Sequence, residues 1–182
     1  MRLSHNALIP LILPLGMLIH VNVLGSAGGL AVEDVRQTPI GIVKELYRLV
    51  SFEAGRSPDW EQVRGLFIEE AVIVLRLGPR TTRIFDRQGF IDYFVKDIER
   101  ANLKESGFSE TLLQTQIQII KDIAHCYSLY EVSVPGRNDG KPVNRGVDSF
   151  HLIKRSDRWF IASIINEGFR MDEPIPAFLK KS

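Results

Sequence analysis

Residues 112–121, 123–134, 143–155 and 159–166 are four successive runs rich in β-branched and aromatic side chains, each long enough for a strand. The breaks between the later ones, Pro135-Gly136-Arg137-Asn138-Asp139-Gly140 and Ser156-Asp157-Arg158, are turn-forming segments. Strands joined this closely pair as antiparallel neighbours, because a parallel pair needs a crossover of a dozen residues or more. The second half of the chain is therefore constrained to a meander of long strands.

The first half has a different period. Ile42, Val43, Leu46, Leu49 and Val50 recur at helical spacing over residues 38–52, and Pro39 suits the first turn. Gly55 and Pro58 end that helix, and Ser57-Pro58-Asp59-Trp60 opens a second, short one running to about Phe67. Residues 71–77 and 81–85, separated by Gly78-Pro79, are two arms of a hairpin. Residues 87–102 return to helical period through Phe90, Ile91, Phe94, Val95 and Ile98. Helices followed by long strands define an α+β domain, with the helices on one face of an antiparallel sheet. The domain is placed at residues 34–170, and residues 171–182, with Pro174 and Pro176, form an extended C-terminal tail.

Residues 1–27 have the pattern of a secretory signal peptide. Arg2 gives a short positive start, residues 7–24 are nearly all apolar, and Gly25, Ser26 and Ala27 are small residues before a cut. The expectation is an exported protein, periplasmic or secreted, with no stable membrane span once the segment is removed. The alternative is an uncleaved anchor, since about 18 apolar residues approach the roughly 20 that span a bilayer. Of the 23 Lys and Arg residues only Arg2 precedes Glu33, while all 22 Asp and Glu lie from Glu33 onward. The remainder is thus balanced, and no nucleic-acid partner is expected. Cys126 is the single cysteine, so no internal disulfide can form, and its apolar neighbours make it a buried core residue.

The last run is apolar on both faces: strict alternation puts Trp159, Ile161 and Ile165 on one and Phe160, Ala162 and Ile164 on the other. Helices cover one face only. A homodimer through the sheet would cover the other, and the proline-containing tail is the alternative cover.

Several segments resemble the nuclear-transport-factor-2-like superfamily, and in particular its small SnoaL-like members of unassigned role. They are Leu46-Tyr47, Asp59-Trp60, Leu66-Phe67, Arg145-Gly146-Val147-Asp148-Ser149-Phe150, Arg158-Trp159-Phe160-Ile161-Ala162-Ser163-Ile164 and Pro174-Ile175-Pro176. The likeness covers residues 34–179. It implies a strongly curved sheet wrapped around the helices in a cone, an apolar cavity open at one end, and frequent dimerisation through the sheet. It implies no single activity, because relatives include isomerases, dehydratases, cyclases, epoxide hydrolases and non-catalytic modules.

The steroid isomerases of that superfamily use a carboxylate base on the first strand and an oxyanion hole of a tyrosine and a protonated acid. The resemblance matches Tyr47 to the tyrosine. Leu75 falls where the carboxylate would stand, and the second oxyanion group is matched by Asp148, His151 or Phe150. Asp148 and His151, three apart on one strand, project to opposite faces and cannot pair. No metal spacing accompanies His125 and His151, and no phosphate loop is present, so no metal and no cofactor are expected. No catalytic residue is assigned. The ligand-binding candidates are Tyr47, Phe67, Phe94, Tyr127, Asp148 and Trp159. These residues predict an apolar pocket for a small apolar molecule in a binding protein or vestigial enzyme; the alternative is a lyase or isomerase on a small hydrophobic or polyketide-like substrate. A network joining Tyr47 to a buried acid whose pKa is raised would favour the enzyme.

Overall fold

The computed structural model describes residues 34–180; the signal-peptide segment lies outside the described residues. Helix α1 (Pro39–Val50) starts where Thr38 Oγ1 accepts the Gly41 amide at 3.0 Å, with Pro39 in its first turn. Asp59 caps α2 (Trp60–Gly65) by accepting the Glu61 and Gln62 amides at 3.1 Å. Asp86 caps α3 (Arg87–Arg100) by accepting the Gly89 amide at 2.7 Å. Side-chain caps of this kind contribute about 1 kcal/mol each. A one-turn helix, α4 (Leu103–Ser106), follows α3.

Six strands form one bent, unclosed sheet: β1 (Phe67–Gly78), β2 (Thr81–Asp86), β3 (Ser109–Ile120), β4 (Ile123–Ser133), β5 (Pro142–Arg155) and β6 (Arg158–Phe169). Their spatial order is β2-β1-β6-β5-β4-β3. The expected meander β3 to β6 is present, and the hairpin joins it through β1, which runs parallel to β6. That one parallel pair is formed by the longest excursion in the chain and departs from an all-antiparallel sheet. The α+β class follows directly from the order of elements.

Helix α1 lies against the inner face of the sheet and buries Ile42, Val43, Leu46, Tyr47, Leu49 and Val50. Ile73, Cys126, Phe150, Leu152 and Ile161 meet them from the strands, and each is essentially inaccessible. Burial drives the Cys126 thiol up to about 11, so it behaves as a small apolar group.

Two β-bulges decide which side chains face inward, since one extra residue reverses alternation beyond it. In β6 the register shifts opposite His151 and Leu152, leaving Ala162 unpaired between Ile161 and Ser163. Trp159, Ile161, Ile164 and Asn166 therefore share the inner face, and Ile165 points outward, 46% exposed. This corrects the strict alternation expected from the sequence. In β3 a shift between Leu112 and Gln114 leaves Leu113 unpaired. It brings Leu112 and Glu110 onto the same face as Thr115 and Ile117.

The tail crosses part of the outer face. Arg145 donates to the Met171 carbonyl at 2.9 Å and to that of Glu173, Gln116 Nε2 donates to the Phe178 carbonyl at 3.0 Å, and Leu179 is buried. Val72, Ile84 and Ile165 on β1, β2 and β6 remain exposed.

Candidate functional site

A chamber of about 350 Å³ opens between α3, α4 and the inner face of the sheet. Leu75, Ile98, Leu103 and Ile164 give it an aliphatic body, and Phe90, Phe94, Phe108, Tyr93 and Tyr130 an aromatic wall. This volume and composition match small-molecule sites. Charged and amide side chains reach it from five elements: Arg76 from β1, Asp97 from α3, Glu110 from β3, Asn144 and Asp148 from β5, and Asn166 from β6.

The central group is Asp148. Its Oδ2 accepts the Tyr47 hydroxyl at 2.7 Å, and its Oδ1 accepts Asn166 Nδ2 at 3.2 Å. Asn166 Nδ2 also donates to Tyr130 Oη at 2.7 Å. With its oxygen already accepting, Tyr130 has its own hydroxyl hydrogen available to the chamber it lines. Burial pushes the Asp148 carboxyl up to about 6, while the hydrogen bonds from Tyr47 and Asn166 pull it down. Glu110 is raised further, to about 8, by burial and then by the neighbouring Asp148. Its backbone is fixed by Ser51, whose Oγ accepts the Glu110 amide at 2.9 Å. Among the described residues its carboxyl has no hydrogen-bond partner. Burial also holds Tyr47 and Tyr130 protonated, with pKa values well above the usual phenol range.

Gly146 makes room for this arrangement. A Cβ there would stand 2.5 Å from Tyr130 Oη and 2.9 Å from the Glu167 carbonyl oxygen, so only glycine lets the tyrosine lie across β5.

The six candidates from the sequence divide. Phe94 and Asp148 line the chamber, and Tyr47 stands behind it, holding Asp148. Phe67 and Trp159 are buried in the core at 3% and 4% exposure, Phe67 packing on Phe90. Tyr127 is not brought to the chamber: in register with Ser149 and Gln116, it lies on the outer face against Phe178. The expected separation of Asp148 and His151 is observed, since His151 faces outward and bonds Ser163 at 2.9 Å. The resemblance pointed to β1 for a proton acceptor, and Leu75 does line the chamber there. The carboxyls of the chamber come instead from β3 and β5, as Glu110 and Asp148. Glu110 and Asn166 were not singled out from the sequence. A strand start at Ser109 and the two bulges were the signals required.

No family model matches the sequence, and no curated protein matches it. Solved structures do. A Nostoc punctiforme protein of unknown function with a cystatin-like fold is 14% identical over 71% of this chain and 87% of its own, with a TM-score of 0.57. A nuclear-transport-factor-2-like protein with a cystatin-like fold from Novosphingobium aromaticivorans is 16% identical over 81% and 84%, also at 0.57. A Mycobacterium tuberculosis protein of unknown function is 18% identical over 73% of both chains, at 0.53. The chain thus has the nuclear-transport-factor-2-like, cystatin-like fold.

Proposed function

We propose that the protein is an acid–base enzyme of lyase or isomerase type acting on a small, mainly apolar molecule. The observation that carries this reading is the Tyr47–Asp148–Asn166 network beside an open chamber. A carboxylate with a pKa near 6 is largely ionised at neutral pH yet more basic than an ordinary aspartate, as a general base requires. Tyr47 and Asn166 fix its orientation, and the Tyr130 hydroxyl, oriented by the same Asn166, donates toward the substrate. Asp148 accepts a proton from carbon while Tyr130 stabilises the oxygen on which charge develops.

Deuterium exchange at the α-carbon of small ketones, such as butanone and cyclohexanone, tests this by proton NMR in D₂O. Exchange faster than the buffer blank and abolished by Asp148→Asn is expected. Equal exchange with wild type, variant and buffer would remove Asp148 as a proton acceptor. Retention of a ketone in the chamber without exchange would favour the second reading, a non-catalytic binding protein, which the aliphatic body of the chamber supports.

Export is part of the proposal and rests on residues 1–27 alone. N-terminal sequencing of the mature protein tests it, with a start at Gly28 expected and an intact, membrane-bound Met1 against it. A homodimer through the outer sheet face is also proposed. Ile84 and Ile165, both paired with Val74, form one apolar row that the tail leaves uncovered.

A further inference from the structure

We propose that the chamber takes an organic ammonium ion, its positive charge seated between Glu110 and the aromatic wall of Phe90, Phe94, Phe108 and Tyr130. The inference rests on the reading of the chamber as the ligand site and adds the charge of what binds there.

Charge and wall chemistry point the same way. Among the described residues, neither Glu110 nor Asp148 has a cationic partner. Asp148 is held by neutral donors only, and the Glu110 carboxyl by none. Of the other charges in the lining, Asp97 is paired with Arg100, and Arg76 has its Nε 3.2 Å from the Glu167 carboxylate, an ion pair without a hydrogen bond at that nitrogen. A carboxylate or phosphate entering this space would face Asp148 and Glu110, and the one cation it would meet in the lining, Arg76, is already in an ion pair with Glu167. An ammonium would meet two carboxyls, and buried carboxylates are stable when paired.

The aromatic side chains supply the rest. Phe90 and Phe94 pack with ring centroids 5.0 Å apart, and Tyr130 closes the sheet side. Ring faces attract cations by their quadrupole, most strongly where water is excluded. The high pKa of Glu110 fits this picture: the carboxyl keeps a proton where the ligand's charge would otherwise sit. Cation binding then displaces that proton, so affinity rises with pH.

Choline chloride and its uncharged isostere 3,3-dimethylbutan-1-ol test the proposal, titrated into the full chain by NMR at pH 5.5 and pH 8. Shifts at Phe94, Ile164 and Asn166 locate binding in the chamber. The expected result is choline favoured by about tenfold or more at pH 8, with the preference reduced at pH 5.5 and reduced by Glu110→Gln. Should that variant fail to fold, the pH dependence of the wild type decides alone. Equal binding of both probes would overturn the ammonium and leave the chamber as a ligand site. Binding of neither would count against the ammonium and against the chamber as a ligand site together.

Discussion

Tyr47 and Asp148, 101 residues apart in the chain, are joined by a 2.7 Å hydrogen bond from the phenol to Oδ2. It ties α1 to β5 and sets the orientation of the chamber's most buried carboxyl. Tyr47→Phe leaves that acceptor short of a donor, a loss of about 1–3 kcal/mol in stability. It also removes one of the two hydrogen bonds that pull Asp148 down, so its pKa rises above the wild-type value. Urea unfolding and a carboxyl titration of the variant check both effects. A variant as stable as wild type with an unmoved Asp148 would show that the bond does not govern the group.

Stability should depend on pH through Glu110. Its folded pKa of about 8 and that of Asp148 of about 6 lie above their ordinary values of 4.5 and 3.8. Well below both ordinary values, at about pH 3 and under, both groups are protonated in the folded and unfolded states and no penalty applies. As pH rises the unfolded chain releases these protons first, so stability falls progressively between about pH 4 and pH 8. Glu110→Gln removes the larger share, and its melting temperature should decline less across that range than that of wild type. Parallel melting curves for the two proteins at every pH would rule out the shift.

Gly146→Ala forces a methyl group against Tyr130 Oη. The tyrosine has to withdraw, breaking its hydrogen bond with Asn166 and loosening Asp148. The expected cost is about 1–3 kcal/mol by denaturant unfolding, together with reduced ketone exchange. A cost below about 0.5 kcal/mol would mean that Tyr130 moves aside freely and does not hold the network.

On the outer face, Ile84→Glu places a charge in the row made with Val74 and Ile165. Sedimentation equilibrium should find wild type as a dimer and the variant shifted to monomer, with the melting temperature of the isolated domain little changed. A monomeric wild type would contradict the sheet-face dimer.

How far the site could be read from the sequence depended on strand alternation. Asp148 lies between Gly146 and Phe150 with no bulge among them, so its inward direction follows from simple counting. Glu110 and Asn166 do not submit to that counting. From Ile117, strict alternation sends Glu110 outward, and the unpaired Leu113 reverses it. From Ile161 it sends Asn166 outward, and the unpaired Ala162 reverses that too. Both residues therefore reach the chamber through local irregularities that β-propensity does not encode. The helices were legible because Thr38, Asp59 and Asp86 cap them and their apolar positions recur at the right period. The parallel pairing of β1 with β6 depends on contacts nearly a hundred residues apart, and local pattern carries no trace of it.

Two carboxyl groups of the chamber, Asp148 and Glu110, have pKa values raised toward neutral pH by burial. Carbon-13 NMR titration of the side-chain carboxyls, assigned through Glu110→Gln and Asp148→Asn, measures this directly. Midpoints near 8 for Glu110 and near 6 for Asp148 are predicted. Midpoints near 4 for both would mean solvated, ordinary acids and would contradict the assignment of this chamber as an acid–base site.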